Sequence, residues 1–137
     1  MGNTMKRPYI KCPYCGSQAF LRPASVLGKS SPGYAGKEFY VCSKYPRCNA
    51  YVSAHARSRL PMGTLANPSL RWKRHQAHLA FDRLWKDGYM STDEAYRWLQ
   101  TQLGIPESEA HIGKFSEYRC AQVIQLCEDF TSAACAA

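Results

Sequence analysis

The spacing of apolar and polar positions changes period once along the chain, near "RSRLPMGTLANP" at residues 57–68. Before it, short runs rich in Tyr and Val are bounded by Gly, Ser and Pro, which predicts strands and turns. After it the period is helical. Asn67 followed by Pro68 provides an N-cap and a proline at the first helical position, and Leu70, Ala77, Phe81, Leu84 and Trp85 then share one face up to about Lys86. "DGYMS" breaks that helix. Ser91 with Glu94 three residues later forms a capping-box signature for a second helix, whose Ala95, Trp98, Leu99 and Leu103 face inward until Gly104 stops it. Ser116 can cap a third, with Phe115 and Cys120 as a hydrophobic staple and Cys120, Val123, Ile124, Cys127 and Phe130 as its stripe. The final "TSAACAA" reads as a frayed end, and "GKSSPGYAG" at 28–36 as a flexible hairpin tip. The expectation is an α+β chain, with a small β segment in residues 1–60 and a three-helix module in residues 61–137.

Cysteine placement gives the β segment a centre. Cys12 and Cys15 form a C-x-x-C in "KCPYCG", and Cys42 and Cys48 bound a wider loop in "VCSKYPRC". In the first, a tight turn brings two thiolates about one zinc radius apart, and Gly16 allows the close backbone approach that such a turn uses. In the second, Pro46 stiffens the loop and Tyr45 can cover the metal side. The 26 residues between Cys15 and Cys42 suffice for a strand, a hairpin tip and a returning strand. Four thiolates around one Zn²⁺ leave no open position, so the site is expected to be structural, standing in for a core this short segment cannot build. A redox C-x-x-C is disfavoured because no βαβ pattern surrounds it. Cys120 and Cys127 lie one heptad apart on a helical stripe and read as core. Seven cysteines, an odd number, fit metal ligands with spare thiols better than a disulfide framework.

"CPYCG" followed by "CSKYPRC" resembles the four-cysteine zinc ribbons at the C-terminal end of type IA DNA topoisomerases, over about residues 10–52. The likeness includes Tyr45 and Pro46 as well as the ligands Cys12, Cys15, Cys42 and Cys48. It implies binding of DNA, chiefly single strands, without cutting. The long insert between the knuckles departs from the shorter topoisomerase ribbon, and no topoisomerase catalytic region is present. With "PMGTLAN", "AHLAFDRLW", "EAYRWL" and "HIGKF", the whole chain also resembles a small uncharacterised family of phage and bacterial zinc-finger-containing proteins, which implies a bacterial cell or phage-infected host.

Charge is sorted along the chain. Residues 1–60 carry ten Lys or Arg and one acid, Glu38, whereas residues 91–137 carry three bases and seven acids. A basic front half suggests a polyanionic partner. Cations for phosphates and rings for bases are interleaved there, the footprint of a single-strand binder. The candidate contacts are Lys11, Tyr14, Arg22, Lys37, Tyr40, Lys44, Tyr45 and Arg47. Eight rings lie in this half (Tyr9, Tyr14, Phe20, Tyr34, Phe39, Tyr40, Tyr45 and Tyr51), and strand alternation should hide about half of them. Arg71, Lys73 and Arg74 make a further basic cluster on the first helix.

Other chemistry is poorly supplied. His75 and His78 are three residues apart on a helix but lack a carboxylate at a matching position, and His111 lies between helices. A nuclease would need clustered acids for Mg²⁺, and the basic half has only Glu38. The 104–115 loop is too long for a helix-turn-helix. No run of about 18 apolar residues exists, and "MGNTMKRPYI" lacks a secretory signal's apolar centre. Lys6 stands where a myristoylation signal needs Ser or Thr. The expectation is a cytoplasmic, non-enzymatic zinc-ribbon adaptor binding nucleic acid, single-stranded DNA favoured, with no membrane association. Its helical module would be available to a protein partner. The alternatives are a protein-interaction module of phage origin acting on a host protein, or an accessory subunit of a nuclease.

Overall fold

The computed structural model describes residues 8–136, so Lys6 and the rest of "MGNTMKR" lie outside it, as does Ala137. Four strands come first: β1 (Ile10–Lys11), β2 (Gln18–Pro23), β3 (Glu38–Cys42) and β4 (Tyr51–Ser53). They form one antiparallel sheet in chain order. Three helices follow: α1 (Pro68–Lys86), α2 (Thr92–Leu103) and α3 (Glu117–Ala136). The expected α+β class is the class found. Contacts divide the chain between Pro68 and Ser69 into two compact units.

Register explains the two sides of the sheet. Ile10, Ala19 and Cys42 stand opposite one another, as do Leu21, Tyr40 and Val52, and these define one face. Cys12, Ala50, Ala54 and Leu65 close over it. On the other face Phe39 and Val41 are covered by Ala24 and Leu27, with Tyr45 and Tyr51 packed against them. The segment 24–36 is therefore built, not a loose tip. It contains 3-10 turns at Ala24–Leu27 and Pro32–Tyr34, and its ends are tied by the Ala24 N–H to the Lys37 carbonyl at 3.1 Å.

The first unit also runs further than residue 60. Pro61 bridges Ala54, Ala66 bridges Tyr51, and Leu65 is fully enclosed in the sheet's core. The contact division falls after Pro68, since Leu65 closes over the face that carries Cys12 and Cys42.

In the second unit the caps act as the sequence foretells. Ser91 Oγ accepts from the Glu94 N–H at 3.2 Å, and the Glu94 carboxylate accepts from the Ser91 N–H at 3.1 Å. Gly104 ends α2 in the left-handed region, and Ser116 Oγ accepts from the Arg119 N–H at 3.2 Å. The core joins Ala77, Phe81, Leu84, Ala95, Leu99, Ile112, Phe115, Cys120, Val123 and Cys127. Two differences stand out. The supposedly frayed tail continues α3 to Ala136, and Arg74 is buried, its Nε donating to the Phe115 carbonyl at 3.0 Å. Arg74 thus serves the core and leaves the basic cluster on α1.

Candidate metal centre

Cys12 follows β1, and the chain turns at once: the Gly16 N–H donates to the Cys12 carbonyl at 2.9 Å and the Cys12 N–H to the Ser17 carbonyl at 2.7 Å. Gly16 makes this turn at φ 78°, where a side chain would be strained. Cys42 ends β3. The Tyr45 and Cys48 amides then close on the Cys42 and Lys44 carbonyls at 2.9 and 3.0 Å, through a cis Tyr45–Pro46 peptide. Because Cys42 pairs with Ala19 and Ala19 with Ile10, two residues before Cys12, both knuckles share one end and one face of the sheet.

The four Sγ atoms all lie within 4.8 Å of one another, with Cys12 to Cys48 at 3.7 Å and Cys15 to Cys42 at 3.4 Å. Sulfurs about 2.3 Å from a shared zinc would sit about 3.8 Å apart along the edges of a tetrahedron. A disulfide would need about 2.05 Å, and all four are free thiols. The spacing is that of a metal cage. Cys12 and Cys42 are buried and Cys15 is exposed, so the cluster sits at the rim of the first unit's core.

The electrostatics ask for a cation. Hydrogen bonds from Ser17, side chain first and then backbone, bring the Cys15 thiol down to about 6. Burial pushes Cys42 and Cys48 upward. An easily ionised thiol beside thiols that resist ionisation becomes a set of four thiolates only with a metal to balance them. The Lys44 N–H, 3.4 Å from Cys42 Sγ, adds a donor to one of those sulfurs. Residues 8–130 match the family described as a zinc-finger-containing domain. The chain belongs to that family. The four cysteines of this zinc-finger-containing domain are a site for one zinc ion, and with four sulfurs bound the shell is closed, which makes the site structural. The match runs through the helices, so the family's domain comprises both units. No curated protein and no solved structure matches the chain.

Around the zinc-finger knuckles the other candidate residues sort by exposure. Lys11, Arg22, Lys37, Lys44 and Arg47 are exposed. Tyr14 is 44% exposed at the tip of the first knuckle, its hydroxyl accepting from the Asn67 N–H at 3.1 Å. The Arg22 guanidinium stands 5.7 Å from the centre of the Phe20 ring. Tyr45 is half-buried, edge-on to Tyr51 with centroids 6.3 Å apart, and so packs the rear of its knuckle. Tyr40 is the correction: only 1% exposed, it donates its hydroxyl to the Arg59 carbonyl and presents no ring to a base. Of the eight rings, Tyr9, Tyr14, Phe20 and Tyr34 are exposed, half as expected, although only Phe20 of these lies in a strand and the adjacent Phe39 and Tyr40 are both buried.

Sequence reading passed over the pair that sets the sign of this surface. Glu38, the sole acid in residues 1–68, accepts from Arg59 Nε at 2.9 Å and Nη2 at 2.8 Å. Nothing local in the sequence marks two residues 21 apart as partners. His75, His78 and His111 are exposed, and among the described residues only the four cysteines come together as a metal site.

Proposed function

We propose that this zinc-finger-containing protein binds single-stranded nucleic acid, DNA in preference, through its first unit, as an adaptor without catalysis of its own. The observation that carries this reading is the combination of open rings and unopposed cations on a surface whose single acid is engaged by Arg59. Stacking needs unpaired bases and phosphates need cations, and Phe20 with Arg22 offers both within one short strand. The likeness of "CPYCG" and "CSKYPRC" to topoisomerase IA ribbons points to the same ligand. No helix is long and apolar enough to cross a membrane among the described residues.

The test is titration of zinc-loaded protein with labelled single strands and duplexes at two salt concentrations. Tighter binding of single strands is expected, with a salt slope of about 0.7 per phosphate contacted. Lys44→Ala and Arg47→Ala should each lower that slope; equal affinity for the duplex, or no salt dependence, would refute the reading. A second reading, a protein partner for the helical unit, draws on Trp72 and Leu79, which are 61% and 50% exposed on α1. Trp72→Ala would weaken that partnership and leave oligonucleotide binding unchanged.

A further inference from the structure

The insert between the knuckles, which departs most from the topoisomerase-type ribbon, encloses a depression of about 380 Å³ against the start of β3. That is within the size range of small-ligand sites, about 300–1,000 Å³. Its polar lining is rich in donors: Ser25, Ser30 and Ser31 bring hydroxyls and Lys29 and Lys37 bring ammonium groups, with the Tyr34 ring beside them. Glu38 also borders it, but its two carboxylate oxygens are held by Arg59, so its charge is already met. Among the described residues no carboxylate forms an ion pair with Lys29 or Lys37.

Lys29 is the informative residue. Its Nζ lies 5.1 Å from the centre of the Tyr34 ring and 6.0 Å from that of Tyr51, so two aromatic rings hold a side chain that would otherwise sweep many rotamers. The backbone holds it as well, through the Lys29 N–H to the Ala24 carbonyl at 3.2 Å. Tyr34 is fixed by its own N–H to the Ser31 carbonyl at 2.9 Å, yet its side chain stays 36% exposed. A positioned ammonium beside hydroxyl donors suits a phosphate, and an adjacent half-open ring suits a base.

We propose that this depression holds one nucleotide unit of a bound single strand, the phosphodiester on Lys29, Lys37 and the serine hydroxyls, the base on Tyr34. The proposal rests on the nucleic-acid reading above and adds to it the insert as the place where the strand is gripped. Lys29 covers one face of the Tyr34 ring, and the base stacks from the other side.

The experiment uses the full zinc-loaded chain with labelled oligodeoxyuridylate and oligouridylate, which differ only in the 2′-hydroxyl, measured by fluorescence anisotropy at two salt concentrations. Tyr34→Ala should weaken binding roughly 5- to 150-fold, the range spanned by one stacked base, while Tyr34→Phe keeps it. Lys29→Ala should reduce the salt slope by about 0.7. Equal losses with both oligonucleotides would support a site indifferent to the sugar, and losses with one would support a site that reads it. Zinc content of each variant checks that the unit remains folded. On the unaltered protein, photo-crosslinking of 5-iodouracil strands followed by peptide mapping should mark the 29–37 segment. Parent-like binding by Tyr34→Ala and Lys29→Ala, or crosslinks confined to residues 44–47, would remove the depression as a site and leave the broader reading standing. Failure of the unaltered protein to bind either oligonucleotide at low salt would overturn both.

Discussion

The two units have almost the same length but hold themselves together differently. The zinc-side core of the first consists of Cys12, Ala19, Tyr40, Cys42, Ala50, Ala54 and Leu65, three of them alanines and two of them metal-site thiols. The second buries Phe81, Leu84, Leu99, Ile112, Phe115 and Val123, with the Phe81 ring edge-on to Trp85 and Tyr96 at 5.1 and 5.0 Å. Charge follows the same division. Up to Pro68 there are ten bases and one acid, and beyond it eight bases and nine acids. A dense field of one sign repels itself and opposes compaction. A metal worth about 10–16 kcal/mol in apparent binding can hold a small unit against that repulsion, as a core of alanines cannot. The half expected to depend on zinc is thus also the half whose charge suits the polyanion proposed above.

The largest expected effect tests that dependence directly. Chelation, or Cys42→Ser, should abolish the protected amides of Phe39 to Val41 in β3, while the helical circular dichroism of α1 to α3 persists. Amide exchange and circular dichroism on one sample read both halves. Strand protection that survives without zinc would mean that the two cores are alike after all. Zinc content should stay full in Cys120→Ala, since that thiol lies in the helical core.

How much of this was legible depended on distance along the chain. Both knuckles, the Ser91–Glu94 capping box and the Gly104 stop are local patterns, and the structure has them where the sequence puts them. What the sequence hid was set by long-range packing. β3 is covered on both faces, so "FYVC" is buried throughout and carries no alternation from which Tyr40's direction could be read. Leu65 lies in a stretch with turn-rich composition, and only its return over the sheet explains its burial. Arg74 was readable in principle, four residues after Leu70 and three before Ala77, but a search for apolar residues passes over a cation in that slot.

Arg74 accordingly offers the next sharpest probe of the helical core. Arg74→Ala removes a charged donor from a buried carbonyl and should cost about 2–3 kcal/mol, visible as a lower urea midpoint of the helical transition. Lys73→Ala, one position away and half-exposed, should stay within about 0.5 kcal/mol. Similar losses at both positions would deny Arg74 its place in the core.

A smaller effect separates packing from recognition in the first unit. Tyr40→Phe removes one hydroxyl bond to the Arg59 carbonyl and should cost about 1 kcal/mol against chemical denaturation. Oligonucleotide affinity should not change, because the ring is enclosed. Weakened binding by Tyr40→Phe with unaltered stability would return Tyr40 to the contact surface.

The effect that is smallest at neutral pH, where it vanishes, appears only in alkali and falls on the helical unit. In the first unit the Ser17 hydrogen bonds bring the Cys15 pKa from 9.0 down to about 6, so this thiol offers zinc a thiolate above pH 6 and loses it as pH falls through 6. Zinc release on acidification runs the same way, since protons compete for thiolates. Cys127 behaves oppositely. Burial raises its pKa from 9.0 to about 12, so the folded state keeps a proton that the unfolded state gives up. Its contribution is complete below pH 9 and fades as pH rises toward 12, with a slope of at most about 1.4 kcal/mol per pH unit. Cys120 is also shifted upward by burial and adds to the same trend. Urea denaturation of the helical transition between pH 8 and pH 11 should therefore show stability falling with pH, and Cys127→Ser, which does not ionise there, should flatten the fall whatever its offset at pH 8. An unchanged slope in Cys127→Ser would place that thiol outside the sealed core and leave acid lability of the zinc unit without its alkaline counterpart.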